Sequence, residues 1–222
     1  MKSLGVDLAG SERRPTGVCL LDEGLNARVW VAYTDSEILE LALAAKPDVV
    51  AVDAPLSIPQ GRKSIEDASG PHLRECDRAL LELGIRFFPV TLGPMRLLTA
   101  RGIKLKERFE AKGFKVIEVY PGGAQDLLGI PRKTRGLELL REGLERLGVK
   151  GLRPSMSGDE LDAVTAAYVG LLYLRDEAVA LGGGDGAIVM PRPPPGFTRR
   201  GRGSKRGQSR ASRGPARARG AP

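Results

Sequence analysis

The spacing of apolar and polar positions predicts strands first and then an alternation of helices and strands. Three short apolar runs, SLGVDLAG, PTGVCLLDE and ARVWVAYT, are separated by turn residues and predict a meander of three strands. Helical spacing follows in DSEILELALAAK. The next run, PDVVAVDAPL, is almost continuously apolar, which is typical of a strand covered on both faces.

The pattern is less regular over residues 57–94, which we interpret as an insertion containing one helix, LRECDRALLELG. Beyond it the spacing predicts a helix in MRLLTARGIKLKERFEAKG, a strand in FKVIEVYPGG, two helices in LELLREGLERLG and GDELDAVTAAYVGLLYLRDEAV, and a short last strand in GAIVMP. These elements predict one α/β domain over residues 1–190, with a mixed sheet flanked by helices.

Charge is distributed unevenly along the 222 residues. The formal net charge is +8, but residues 191–222 hold 10 of the 35 basic residues and no acidic residue. Residues 1–190 therefore carry 25 basic against 27 acidic residues. The terminal segment is rich in Pro, Gly, Ser and Arg, so we expect a disordered tail, either without a fixed role or attracting nucleic acid without sequence preference.

Several classes of protein are disfavoured by composition. Two cysteines, Cys19 and Cys76, form no zinc-finger spacing or disulfide framework. A single histidine, His72, leaves little room for Cys-His or Ser-His-Asp catalysis. No apolar run is long enough to span a bilayer and the chain enters a strand directly, so we expect a soluble cytoplasmic protein with no membrane partner.

Carboxylates end three of the predicted strands. Asp7 ends the first, Asp53 ends the fourth and Glu118 lies near the end of the fifth, each followed by a sharp exit rich in Gly or Pro. If these strands are parallel neighbours, the three acids reach one edge of the sheet, where ligands bind in such folds. The alternative is that each acid shapes its own turn or accepts hydrogen bonds from loop backbone.

The long last helix adds Asp159 and Asp162 on neighbouring turns. Asp162 is surrounded by apolar residues, where an unpaired carboxylate is costly and a metal ion is one of the few stabilising partners. Asp159 has an alternative role in the helix start, because Ser157 and Glu160 match a capping box. Clustered carboxylates without His or Cys favour Mg²⁺ or Mn²⁺, and two such ions about 4 Å apart can cleave a phosphodiester.

Five motifs together resemble a known family: GVDLAGS, VAVDAPLSIP, RECDRALLELGIRFFP, VIEVYPGGAQDLLGIPRK and DELDAVTAAYVGLLYL. They resemble the domain of unknown function 429 family of predicted nucleases with a ribonuclease H-like fold, and the resemblance covers residues 3–190. It implies a sheet of five main strands and an acidic site at Asp7, Asp53 and the last helix. The DELDAVTAA stretch is also similar to the last-helix motif of Holliday-junction resolvases, which implies metal binding by Asp159 and Asp162.

The resulting hypothesis is a metal-dependent nuclease. Asp7, Asp53 and Asp162, with Asp159 or Glu118, hold Mg²⁺ or Mn²⁺, and DNA or RNA is the partner. Arg74, Arg78 and Lys104 are candidate phosphate contacts; for the two arginines an exposed, salt-bridged helix is the alternative. The sequence leaves open whether the protein forms a homodimer.

Two other functions stay open from the sequence. Sugar kinases and actin-like ATPases also begin with a strand, an Asp and a small-residue turn, although they pair two such domains around the nucleotide. A non-catalytic nucleic-acid-binding module would use the tail and a basic stretch comprising Arg101, Lys104, Lys106, Arg108 and Lys112.

Overall fold

A mixed sheet of seven strands forms the centre of the protein. The computed structural model describes residues 1–67 and 69–197. The strands are β1 (Lys2–Asp7), β2 (Thr16–Asp22), β3 (Ala27–Ala32), β4 (Val49–Asp53), β5 (Val116–Val119), β6 (Ala178–Gly183) and β7 (Gly186–Pro191). Their order in the sheet is β3-β2-β1-β4-β5-β7-β6. The predicted mixed sheet is confirmed, with two strands more than the five expected.

The directions of neighbouring strands decide which strand ends lie together. β1 pairs antiparallel with β2 and parallel with β4, and β4 pairs parallel with β5. The carboxyl ends of β1, β4 and β5 therefore meet at one edge of the sheet, as the sequence predicted.

Helices cover both faces of the sheet. They are α1 (Asp35–Ala45), α2 (Glu75–Glu82), α3 (Gly93–Glu110), α4 (Pro121–Leu127), α5 (Leu137–Arg146) and α6 (Gly158–Leu174), with a 3-10 turn at Lys133–Arg135. α6 packs along β1, β2 and β4 on one face. On the other face Leu4 and Val6 of β1 pack in one core with Ile38 of α1 and Leu105 of α3.

The long connection between β4 and β5 contains α2 and α3, and includes the predicted insertion. Its helix was expected from the sequence, whereas residues 85–92 form no strand or helix. Arg62 orders the first part of this connection by donating to the backbone oxygens of Asp67, Gly70 and Pro71.

The last part of the sheet differs from the prediction. α6 ends at Leu174, and residues expected to extend it form β6, which turns through Gly183 to Gly186 into β7. Asp185 in this turn accepts hydrogen bonds from the backbone of Gln60 and Glu75. The glycines of this segment therefore form part of a hairpin, held against the β4–β5 connection.

The boundary of the folded part lies beyond residue 190. Pro191 closes β7, and Phe197 packs against the core formed by α2, α6 and β7. The rest of the predicted basic tail, residues 198–222, lies outside the described residues. Within residues 1–67 and 69–197, no helix is long and apolar enough to cross a membrane.

Glycine in β1 permits the close approach of α6. A Cβ atom at Gly5 would overlap the backbone oxygen of Ala163 and the backbone nitrogen of Ala167. We expect Gly5→Ala to lower the free energy of unfolding by about 3 kcal/mol, the upper end for overpacking, because backbone atoms cannot move aside as a flexible side chain can. Urea denaturation measures this loss.

The matched control is Gly93→Ala at the start of α3, where an added Cβ meets nothing within 4 Å. This variant should be as stable as the wild type or slightly more stable, because alanine favours helix. Equal stability of Gly5→Ala and Gly93→Ala would contradict the packing described for β1 and α6.

Candidate active site

Three carboxylates, which we call the acidic cluster, meet where β1 and β4 end against α6: Asp7, Asp53 and Asp162. The parallel register of β1 and β4 pairs Asp7 directly with Asp53, so both side chains leave the sheet on the face covered by α6. Asp162 lies in the second turn of α6 and is only 5% exposed. Repulsion from Asp7 and Asp162 contributes to raising the pKa of Asp53, second to burial.

One lysine offsets part of this negative charge. Lys133, in the 3-10 turn between α4 and α5, places its Nζ 2.8 Å from Asp162 Oδ2 and 3.7 Å from Asp7 Oδ2. Burial lowers the pKa of the Lys133 ammonium, but attraction to the carboxylates of Asp7 and Asp162 raises it above its ordinary value overall. Lys133 was not predicted as a site residue, because nothing in the residue pattern around IPRK indicates that its side chain contacts the carboxylates.

Asp7 lies in surroundings that disfavour an ionised carboxylate. Burial raises its pKa from 3.8 to about 7; repulsion from Asp162 adds to the rise, and attraction to Lys133 opposes it. Its Oδ2 atom is buried and accepts no hydrogen bond. A buried carboxylate oxygen without a hydrogen bond is costly, and its ion-pair partner, Lys133 Nζ, lies 3.7 Å away, beyond hydrogen-bond distance. The site is therefore short of positive charge at neutral pH.

Asp162 is held by its neighbours. Gln125 of α4 donates from Nε2 to Asp162 Oδ1 at 2.7 Å and also lies 3.1 Å from Thr165 Oγ1. This leaves Oδ2 of Asp162 directed to Lys133. Gln125, like Lys133, was not identified from the sequence.

Asp159 lies at the rim of the acidic cluster. Its carboxylate is 3.3 Å from Lys133 Nζ, and its side chain is about half exposed. The predicted capping box is present, because Ser157 accepts from the backbone of Glu160 and Glu160 accepts from the backbone of Ser157. Asp159 is therefore free of a capping role and lies within reach of a ligand bound to the cluster.

Glu118 does not join the acidic cluster, contrary to the expectation. Its register pairs it with Val52, one residue before Asp53, so its side chain points to the opposite face of the sheet. There Glu118 receives hydrogen bonds from Arg74 at 2.7 Å on both carboxylate oxygens and from the backbone of Leu56 at 2.8 Å. Burial raises its pKa, and Arg74 opposes that rise.

Arg74 is a structural residue and not a phosphate contact. It is 1% exposed, and its guanidinium donates to Glu118, Asp77 and Ser57. This burial contradicts its predicted role, because no donor faces solvent. The other two predicted phosphate contacts, Arg78 of α2 and Lys104 of α3, are exposed.

Cys76 and His72 are poorly suited to the Cys-His catalysis considered as an alternative. Burial raises the pKa of the Cys76 thiol to about 12, so little thiolate forms at neutral pH. His72 Nδ1 lies 2.8 Å from Thr91 Oγ1 and makes a local hydrogen bond.

Comparison with protein families gives one match that covers most of the chain. The model of the family described as protein of unknown function (DUF429) matches residues 5–185. The chain belongs to the DUF429 family. The match includes β1, β4 and α6, so all three residues of the acidic cluster lie within the DUF429 region. No curated protein sequence matches the chain.

The solved structures similar to this DUF429 protein include two of RuvC. They are Thermus thermophilus RuvC and T. thermophilus RuvC in complex with a Holliday junction substrate. Each is 19% identical, covers 79% of this chain and 96% of its own, and gives a TM-score of 0.43 or 0.44, the higher for the complex.

The donor set of this DUF429 site fits a hard divalent cation. The cluster offers carboxylate oxygens, and Asp7 Oδ2 lacks a hydrogen bond. In the described part of the chain, however, no three His, Cys, Asp or Glu side chains are grouped to hold a metal ion. A cation would compete with the Lys133 ammonium for the oxygens of Asp7 and Asp162.

We expect Lys133→Ala to raise the pKa of Asp7 above its value of about 7, because Lys133 is a positive charge that opposes its protonation. The unfolding free energy of the metal-free protein would then keep falling to a higher pH than in the wild type. NMR titration of the carboxyl carbons checks the shift. Lys104→Ala, at an exposed position of α3, is the control; a pKa that stays near 7 or falls in Lys133→Ala would contradict the role given to Lys133.

Proposed function

We propose that the protein is a nuclease that hydrolyses phosphodiester bonds of DNA or RNA with Mg²⁺ or Mn²⁺ held by the acidic cluster. The observation that carries the proposal is the shortage of positive charge around Asp7, Asp53 and Asp162. Burial and mutual repulsion raise the pKa values of Asp7 and Asp53, and Asp7 Oδ2 has no hydrogen bond. Buried carboxylates with raised pKa values cluster at functional sites, where they bind a cation or transfer a proton.

Each residue has a part in this proposal. Asp7, Asp53 and Asp162 would hold the metal, with Asp159 at the rim. A divalent ion supplies a Lewis acid that polarises the phosphoryl oxygen and lowers the pKa of water. Gln125 fixes Asp162 by its hydrogen bond, and Lys133 keeps a positive charge at the site.

The nucleic acid is attracted by basic residues outside the cluster. Lys104 and Lys112 are exposed, whereas Lys106 pairs with Glu110 and Arg108 donates to Ser36. Arg101 is 8% exposed and bound to Asp35 and the backbone of Ala9 and Tyr33. The basic stretch is therefore smaller than the sequence predicted. The nine basic residues after residue 197 would add to it.

The test is cleavage of single-stranded, duplex, hybrid and branched substrates with Mg²⁺ or Mn²⁺. Wild type should cleave at least one of them, and Asp53→Asn should not. Asp176→Asn, at a carboxylate that is 99% exposed, is the matched control and should cleave like the wild type. Binding without cleavage by the wild type in every case would favour the non-catalytic binding module.

Deleting residues 198–222 should weaken nucleic-acid binding and reduce its dependence on salt, because fewer counterions are released when nine basic residues are absent. Fluorescence anisotropy over a series of KCl concentrations measures both effects. An unchanged salt dependence would show that residues 198–222 do not contribute to binding. It would not bear on the role of the acidic cluster.

A further inference from the structure

A pocket of about 200 Å³ lies beside the acidic cluster and shares Asp53 with it. Its walls come from the ends of β4 and β5, from α2, from the segment 87–90 and from the first turns of α3. The proposed chemistry does not use this pocket. A group bound in it would nevertheless lie next to a carboxylate of the cluster.

The walls of the pocket are aromatic and apolar. Phe87, Phe88 and Tyr120 line it together with aliphatic side chains. Phe88 is 70% exposed, although it is among the most apolar residues of the chain. An apolar pocket lined by aromatic side chains, one of them exposed, is a candidate site for an aromatic ligand.

The Tyr120 ring is fixed in position. Its hydroxyl donates to the backbone oxygen of Arg86 at 2.9 Å and accepts from Arg132 Nη1 at 3.2 Å. The Arg132 guanidinium also lies over the ring, 5.6 Å from its centre. An aromatic wall held in this way loses little entropy when a planar group stacks on it.

The polar part of the pocket rejects anions. Asp53, Asp77 and Glu118 supply three carboxylates, and Arg74 supplies the one guanidinium, which is already bonded to Asp77 and Glu118. A phosphate would therefore be repelled. A neutral planar ring with N–H groups suits the aromatic walls, and Asp53 is the carboxylate among these three that Arg74 does not engage.

The volume restricts the ligand to one ring system. Pockets for drug-sized ligands occupy about 300–1,000 Å³, and this one is smaller. A nucleobase has the required size, planarity and N–H donors. We propose that the pocket holds an unpaired base of the nucleotide next to the phosphodiester at the acidic cluster, an inference that rests on the proposed nuclease function.

The consequence is a preference for unpaired nucleotides. A base held between Phe88 and Tyr120 must leave its stack in a duplex, which costs energy that single-stranded or disrupted substrates do not pay. Substrates with an unpaired base near the cleavage position should therefore bind more tightly than continuous duplexes of the same length.

The experiment uses a single-stranded oligonucleotide containing 2-aminopurine, whose fluorescence is quenched by stacking. The full-length protein is compared with Phe88→Ala and with Leu43→Ala, a control at an exposed apolar residue of α1. Wild type and Leu43→Ala should quench the fluorescence. Phe88→Ala should not, and its affinity should be roughly 5- to 150-fold lower, the range for loss of one stacked base.

The outcomes separate this proposal from the nuclease proposal. Equal quenching and affinity for Phe88→Ala and wild type would overturn the base pocket, even if Asp53→Asn abolishes cleavage. Quenching that depends on Phe88 in a protein that cleaves nothing would support the pocket and contradict the nuclease. No quenching by the wild type, measured on a substrate that it cleaves, would overturn the pocket alone.

Discussion

Replacing Asp7 by Asn should abolish nucleic-acid cleavage and, at the same time, make the metal-free protein more stable near pH 8. Cleavage should fall by at least about 1,000-fold, because a metal ligand contributes several kcal/mol to stabilising the transition state. The gain in stability has a separate cause. Asp7 is ionised at pH 8 in a buried position beside other carboxylates, and an amide carries no charge there.

The sign of the pH dependence follows from the raised pKa. The pKa of Asp7 is about 7 in the folded protein and 3.8 for the unperturbed group, so between these values the folded chain binds more protons than the unfolded chain. Wild type should therefore lose stability as the pH rises from about 4 to about 7. Asp7→Asn removes this loss, which amounts to about 4 kcal/mol for about three pH units at about 1.4 kcal/mol each.

Urea denaturation at pH 5 and pH 8 in the presence of a chelator measures the effect on stability. Asp176→Asn should behave like wild type at both values, because its side chain lies in solvent. Asp7→Asn should show a smaller difference between pH 5 and pH 8 than wild type. An Asp7→Asn protein that is less stable than wild type at pH 8 would show that Asp7 is a structural residue.

Replacing Arg74 by Met should be the most destabilising of the substitutions considered. Arg74 Nη1 and Nη2 each lie 2.7 Å from an oxygen of Glu118, and Nη2 lies 3.0 Å from Asp77 Oδ1, all in a buried position. Without the guanidinium, two buried carboxylates lose their partner. The expected loss is about 3–5 kcal/mol in the free energy of unfolding, the usual cost of breaking a buried ion pair.

Two further variants identify the cause of that loss. Arg78→Met changes an exposed arginine of α2, the helix that begins directly after Arg74. It should alter the free energy of unfolding by less than about 0.5 kcal/mol. Arg74→Met combined with Glu118→Gln should recover part of the stability, because one of the unpaired charges is removed. If the double variant is as unstable as the sum of the single changes, the ion pair is not the source of the loss.

Sequence periodicity was sufficient to predict which residues of the site lie at strand ends. Asp7 and Asp53 each follow an apolar strand, and parallel pairing brings such ends together whatever the details of packing. Asp162 could be recognised because it interrupts an apolar helix face. These three positions follow from local patterns and one topological rule.

The rest of the site depends on register and on distant loops. Glu118 looked equivalent to Asp53, but a register offset of one residue turns it to the other face, and the sequence does not show that offset. Lys133 and Gln125 come from segments that meet the cluster only after the chain has folded. The β6–β7 hairpin was missed because β6 follows α6 closely, and its first two residues, Ala178 and Val179, were included in the predicted helix.

Calorimetric titration with Mn²⁺ tests the central claim most directly. Wild type is compared with Asp7→Asn, Asp53→Asn and Asp162→Asn, and Asp176→Asn is the control. We expect Mn²⁺ to bind wild type and the control alike, and each of the three cluster substitutions to remove or greatly weaken that binding, because the carboxylates share one site. Wild-type affinity in the cluster variants would contradict the account, since Asp7, Asp53 and Asp162 would then not form a metal site.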